Sequence, residues 1–293
     1  MAEPAHRAGV VALLGRPNAG KSTLLNRILG EKLAIVTAKP QTTRSRLLGI
    51  WSRPGVQALF VDTPGFHEGG RPLNRALNAV VDEVVDDCDV ALLLVDPVAG
   101  LDPGHLARLE RLRARGTPTF AVATRCDEPS RRNAPWPLEA LAGLPAFRTS
   151  GVTGEGVDGL LEAVVERLPV GPSLYPEDDL TDRPLRFLVA ELVREAAFDA
   201  LEQEVPYGVA VAIRSFDESR PDLVHIRADL LVERTAHKPI VLGRGGATIK
   251  RIGSAARREI EALVGRKVFL ELWVKCEPGW TKRPNRLKSL GYY

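Results

Sequence analysis

Cysteine is scarce in this 293-residue chain, and the three present, Cys88, Cys126 and Cys276, are far apart. That number and spacing exclude a disulfide framework and a cysteine-based zinc cluster, and make a reducing cytoplasm the simplest home. Long apolar runs are missing too: stretches such as Val90 to Val95 fall far short of the roughly 18–20 residues that cross a bilayer. The N-terminal residues show no charged-then-apolar export pattern, so a cytoplasmic protein is expected. Net charge is small, 40 Lys and Arg against 37 Asp and Glu, and with 44% hydrophobic residues this excludes a disordered polyelectrolyte. What is present is a division of that charge. Thr235 to Tyr293 holds 13 basic and 4 acidic residues, a net +9, which leaves −6 on the rest of a chain whose total is +3. A basic end of this kind suggests a polyanionic partner, although a solvated basic surface has the same composition.

The length is a prior for two domains. In the first, apolar runs at Gly9–Leu14, Val56–Val61, Val90–Val95 and Thr119–Ala123 read as strands buried on both faces. Between them, Leu73, Ala76, Leu77, Val80, Val81 and Val84 recur at helical spacing, and Leu160, Leu161, Val164 and Val165 mark a closing helix. This alternation predicts an α/β fold with a mostly parallel sheet and helices on both faces over residues 1–168. A Pro-rich, acidic stretch over 169–183 reads as a linker. From 184 to 293 the pattern is α+β: one long helix over Pro184–Glu204, strands at Tyr207–Phe216 and Leu223–Val232, a glycine turn, a helix to about Leu263, and a strand over Val268–Val274.

Gly15-Arg16-Pro17-Asn18-Ala19-Gly20-Lys21-Ser22, followed by Thr23, fits the P-loop pattern and lies between a strand and a helix, the context that pattern requires. Its backbone N–H groups predict a phosphate cradle, Lys21 the contact to the terminal phosphates, and Ser22 a Mg²⁺ ligand. By average composition the pattern arises by chance on the order of once in a hundred chains of this length. Asp62, ending an apolar strand in Asp62-Thr63-Pro64-Gly65, is placed to hold the Mg²⁺ shell, and the Gly65 N–H to reach a γ-phosphate. Phe66 stands where signalling GTPases keep a water-positioning Gln; His67 is a candidate substitute, against the plain reading of a solvated loop histidine. In Lys39-Pro40-Gln41-Thr42-Thr43-Arg44, Thr43 is preferred over Thr42 as the hydroxyl that completes the metal shell when a γ-phosphate is bound. Lys21 and Thr43 are thus the candidate catalytic residues. Thr124-Arg125-Cys126-Asp127 follows a strand, and Asp127 can accept the two donors of guanine, whereas adenine leaves a carboxylate unpaired. The N–H groups of Ser150 and Gly151 suit the guanine O6. A P-loop ATPase or kinase, and an RNA-binding module that keeps GTP as a structural ligand, remain alternatives.

On these motifs, with Thr153-Gly154-Glu155-Gly156-Val157-Asp158, Val241 to Gly246, Ile249-Lys250, Ile252-Gly253 and Leu270 to Lys275, the chain resembles the TRAFAC-class GTPases and, within them, the Era family of bacterial ribosome-assembly GTPases. The resemblance runs nearly the whole length. It implies a GTPase that binds GTP and GDP, engages the 3′ end of 16S ribosomal RNA and the 30S subunit, acts as a monomer and, as some members do, associates loosely with the inner membrane; without a Gln or a supplied arginine, slow intrinsic turnover is expected. It also implies K⁺-assisted hydrolysis through Asn18, a position that equally suits a loop brace. Where the family has Asn-Lys-x-Asp, this chain has Thr124 and Arg125, so guanine preference is expected to rest on Asp127 while Arg125 stacks on the base.

Gly243-Arg244-Gly245-Gly246 is a G-x-x-G turn ahead of a helix and a strand, an order that resembles a type II KH domain. The turn lets backbone approach single-stranded RNA, with Arg244, Lys250 and Lys275 on phosphates. Trp273 and Trp280 are candidates either for base stacking or for packing.

Overall fold

Valine, leucine and alanine fill the strands that lie deepest, and the computed structural model, which describes residues 5–39, 42–66 and 72–292, shows why. The readings for Pro40, Gln41 and His67, and for the Leu73 and Ala76 side chains, fall outside the described residues. The chain divides into two compact units, Met1–Ala34 with Thr43–Asp182, and Ile35–Thr42 with Arg183–Tyr293. The short segment 35–42 therefore belongs to the second unit although it is encoded inside the first.

The first unit runs β1 (Arg7–Leu14), α1 (Lys21–Leu29), β2 (Leu47–Arg53), β3 (Val56–Asp62), α2 (Pro72–Asp87), β4 (Val90–Val95), α3 (Pro103–Arg115), β5 (Thr119–Ala123), the single turn α4 (Pro129–Arg132), β6 (Ala146–Arg148) and α5 (Val157–Arg167). Its six-stranded sheet has the order β2-β3-β1-β4-β5-β6. Every neighbouring pair is parallel except β2 with β3. All six residues of β4 are fully buried, which its unbroken apolar sequence requires. Register places Leu13 beside Asp62, Leu14 beside Leu93, Val95 beside Ala123 and Ala123 beside Arg148. The loops leaving β1, β3, β4, β5 and β6 consequently emerge along one edge, the carboxyl edge where α/β sheets bind ligands.

The second unit runs α6 (Leu185–Ala200), β7 (Val209–Asp217), β8 (Leu223–Val232), α7 (His237–Leu242), α8 (Ala247–Val264), β9 (Lys267–Cys276) and α9 (Pro284–Ser289). The helix expected to reach Glu204 stops at Ala200, and a 3₁₀ turn at Pro206–Gly208 follows before β7. In the three-stranded sheet β7-β8-β9 the first pair is antiparallel and the second parallel. Val189, Leu192 and Val193 of α6 and Ile252, Ala256 and Ile260 of α8 cover one face, joined by Ile35. On the other face Ala210 and Leu231 pack with Trp280, Leu287 and Tyr292. Trp280 is 1% exposed and its indole N–H donates to the Gly208 carbonyl at 3.1 Å, so it anchors packing and is closed to bases.

Leu93 sits fully buried at the centre of β4. Leu93→Ala is expected to destabilise the first unit by about 2–5 kcal/mol, read from denaturant unfolding, because the surrounding sheet closes the cavity only in part.

Candidate nucleotide and nucleic-acid sites

The loop between β1 and α1 turns on Asn18 and Gly20, both left-handed with φ of 61° and 85°, and delivers Lys21 at the first position of the helix. Lys21 is 5% exposed and its ammonium folds back over the loop, donating to the Gly15 and Arg16 carbonyls at 3.0 and 2.9 Å. Burial lowers its pKa to about 8, with the Asp62 carboxylate acting in the opposite sense. Ser22, the next residue, donates from Oγ to Asp62 Oδ2 at 2.6 Å, and its Oγ is 3.2 Å from Thr43 Oγ1. Burial raises the Asp62 carboxyl above its usual range, opposed by Lys21 and by the hydroxyls of Ser22 and Thr43. Its Oδ1 is buried with no hydrogen-bond partner. Oxygens of three side chains thus meet beside one buried ammonium. Thr42 differs from its neighbour, since its hydroxyl is occupied by the Lys39 carbonyl and the Thr37 hydroxyl, both at 2.8 Å.

Gly65 follows the same strand end. A Cβ there stands 2.3 Å from the Pro17 nitrogen, so only glycine lets the two loops approach this closely. Thr63 fixes the turn by donating to the Leu13 carbonyl at 2.7 Å. Phe66 is buried, with the His105 ring edge-on at 4.8 Å and the Arg108 guanidinium 4.6 Å from its centroid.

Beyond β5, Thr124 is 3% exposed and lies over Gly20, with its Cβ 3.6 Å from where a Gly20 Cβ points. Asp127 accepts a hydrogen bond from Ser150 Oγ at 2.6 Å, which holds one carboxylate oxygen and leaves its other available to a base. Ser150 Oγ also accepts from the Val152 and Thr153 N–H groups, tightening the loop that carries Gly151. Arg125 adopts a left-handed φ of 58° and is 43% exposed. Glu128 holds its guanidinium at 2.7 Å, and Arg131 ties Asp96 to the same cluster at 2.7 Å. Hydrogen bonds from Arg131 and from the Val98 and Ala99 N–H groups outweigh burial and hold the Asp96 carboxyl low. The structure thus gathers Gly15, Asn18, Ala19, Gly20, Lys21, Ser22, Thr23, Asp62, Gly65, Thr124, Arg125, Asp127, Ser150 and Gly151 at one edge of the sheet.

Two constellations escaped sequence reasoning. One is the Asp96–Arg131–Glu128–Arg125 cluster. The other ties the P-loop to α3: Asp102 caps that helix through the His105 N–H, binds His105 Nδ1 at 2.7 Å, and pairs with Arg16 at 3.2 Å. The run Asp102-Pro103-x-His105, a helix N-cap with proline next, was the available signal.

In the second unit the G-x-x-G turn carries positive φ at Gly243, Gly245 and Gly246. A Cβ on Gly243 stands 2.3 Å from Thr248 Oγ1, whereas Gly246 faces open space. Beside the turn a groove of about 320 Å³ runs between α8 and β9, lined by Ile249, Lys250, Gly253, Arg257, Phe269 and Leu272. Arg244 and Lys250 are exposed. Lys275 stands on the face of β9 that it shares with Trp273, which is 61% exposed, and pairs with Asp229 at 2.7 Å. Strand alternation places it there, because Val274 faces the helices.

This architecture defines a P-loop GTPase domain joined to a KH domain. Residues 10–125 match the family model described as 50S ribosome-binding GTPase, and residues 204–281 match the KH domain. The chain is 44% identical over 296 residues to GTPase Era of Geotalea uraniireducens, with both chains covered completely. Two crystal structures, each 34% identical with 98% of this chain and 99% of the other covered, superpose with a TM-score of 0.88: an Aquifex aeolicus Era variant bound to GDP and AlF₄⁻, and Era in complex with MgGDPNP and nucleotides 1506–1542 of 16S ribosomal RNA. The chain belongs to the Era family and is a GTPase.

His105 is 1% exposed, and burial lowers its pKa below 6.5 although Asp102 pulls it up. The unfolded chain therefore binds more protons, and stability is lost as pH falls through about 6.5. His105→Gln is expected to flatten that part of the stability-against-pH curve, measured by urea unfolding across the range.

Proposed function

We infer that this chain is a GTP-operated RNA-binding protein: it hydrolyses GTP in the presence of Mg²⁺ and engages the 3′ end of 16S ribosomal RNA through its KH domain during assembly of the 30S subunit. The observation that carries the reading is full-length similarity to an Era solved with MgGDPNP and that RNA. The residues present suit Mg²⁺. Ser22, Thr43 and Asp62 offer only oxygen, and Asp62 Oδ1 is a buried carboxylate oxygen without a partner. Among the described residues no cluster of three or more His, Cys, Asp or Glu forms a protein-only metal cage, in keeping with an ion that shares its shell with phosphate and water. When bound there, Mg²⁺ neutralises charge on the terminal phosphates. Lys21 and the loop N–H groups stabilise charge that develops as the γ-phosphoryl group leaves. Asp127 selects guanine, and Arg125, held by Glu128, covers the ring.

Phe66 supplies no water-orienting amide and is buried, so the isolated protein should turn over at about 10⁻⁴–10⁻² s⁻¹, the range of unassisted GTPases. K⁺ acting at Asn18 is part of the proposal, and substituting Na⁺ should slow hydrolysis. No described helix is long and apolar enough to cross a membrane, so association with the inner membrane is proposed as peripheral.

Asp127→Asn should move nucleotide preference from guanine toward xanthine, read by competitive displacement of a fluorescent nucleotide; unchanged preference contradicts the assigned role. Gly246→Asp, which brings a charged side chain into the open space above the turn, should cut binding of an oligonucleotide carrying the 16S 3′ end while sparing GTP. Equal RNA affinity in that variant removes the KH site.

A further inference from the structure

Helix α6 carries three charges that the nucleotide and RNA sites do not use. Arg194 is 0% and Glu195 6% exposed, and Glu191 is the carboxylate that meets Arg194. Burying a guanidinium is costly unless nearly every donor is satisfied. Here Nε donates to Glu191 Oε1 at 2.8 Å, Nη2 donates to the Thr42 carbonyl at 2.5 Å, and the guanidinium carbon lies 5.2 Å from the Phe198 centroid, while Nη1 is buried without a hydrogen-bond partner. Glu195 Oε1 accepts the Val36 N–H at 2.8 Å. Lys39 answers from the opposite side. Its ammonium donates to the Phe198 carbonyl and, at 2.5 Å, to the Leu201 carbonyl, at the helix end where carbonyls lack intrahelical partners and a cation is favoured. Ile35 is buried in the same core. Val36, Lys39 and Thr42 are thus each fastened to α6 or its C-terminal end, and the last of these contacts is at the carbonyl of Thr42.

Thr43 is the next residue, and its hydroxyl stands 3.2 Å from Ser22 Oγ. We propose that Arg194, Glu195 and Lys39 form a clasp that positions Thr43 for a γ-phosphate-bearing nucleotide, making α6 of the KH unit a determinant of discrimination between GTP and GDP. This rests on the reading of Thr43 as the γ-phosphate-dependent ligand. The clasp acts through a single peptide link: with the Thr42 carbonyl held, Thr43 has little backbone freedom left to lose when the metal shell closes. GDP makes no demand on Thr43 and gains nothing from the clasp. Reciprocity follows, because whatever factor the clasp adds to GTP affinity, bound GTP returns to the clasp on α6.

The test is titration of full-length protein with mant-GMPPNP and mant-GDP in Mg²⁺. Lys39→Met removes the cation from a partly exposed site without opening the core, and Arg194→Lys keeps charge near Glu191 but loses the planar fork. Each should weaken mant-GMPPNP roughly 5- to 20-fold and leave mant-GDP within about twofold, with Lys39→Arg restoring the wild-type ratio. Thr43→Ala run in parallel separates the two readings. If Thr43→Ala shifts the ratio and neither clasp variant does, whether the affinities stay intact or fall together, the clasp is wrong. If Thr43→Ala leaves the ratio unchanged, the assignment of Thr43 itself fails and the clasp falls with it.

Discussion

A buried ammonium has to be met by negative charge, and in the first unit much depends on meeting the one on Lys21. It is enclosed at the start of a helix, where backbone N–H groups already favour an anion, and the carboxylate that acts on it is Asp62. The two loop carbonyls that it reaches, Gly15 and Arg16, are its own motif folded back on itself. A polyphosphate supplies what this arrangement lacks. The flanking groups share the dependence: Asp62 is raised by burial, Ser22 and Thr43 surround it with hydroxyls, and Gly65 is pressed against Pro17 so closely that no side chain fits.

Parallel strands bring those groups together. Because β1, β3, β4, β5 and β6 run in one direction, their ends deliver the Gly15–Ser22 loop, Asp62, the Asp96 cluster, Asp127 and Ser150 to one edge. Asp127 is braced by Ser150 and Arg125 by Glu128, so the side chains proposed to read the base are already held by their neighbours. Thr124 replaces the longer Asn of the family pattern by lying directly over Gly20, keeping the loops in contact with a smaller side chain.

Much of this was legible in the sequence because it is local. A glycine-rich turn between strand and helix, an Asp ending an apolar run, and a G-x-x-G turn before an amphipathic helix carry their geometry within a few residues. What was illegible depends on partners far along the chain. Nothing local marks Arg194 and Glu195 for burial, because their partners Thr42 and Val36 lie 152 and 159 residues away. The reversed direction of β2 at the sheet edge and the burial of Trp280 under Gly208 are likewise settled by tertiary packing. Lys275 shows the limit in another form. Alternation along β9 placed it on the face opposite Val274, but only the structure shows Asp229 holding it there.

The charge division, −6 over residues 1–234 and +9 over residues 235–293, concentrates the positive charge in the segment that carries the G-x-x-G turn, α8 and β9. The proposed RNA face offers exposed cations at Arg244 and Lys250, whereas the proposed phosphate loop offers one buried ammonium. That difference makes Lys21 the point at which the account is most exposed to test. Single-turnover phosphate release from γ-labelled GTP and ATP, with wild-type protein and Lys21→Ala in Mg²⁺, measures it directly. The account predicts release from GTP, little from ATP, and loss of GTP hydrolysis in the variant; comparable release from ATP, or a Lys21→Ala protein that hydrolyses GTP at the wild-type rate, would contradict it.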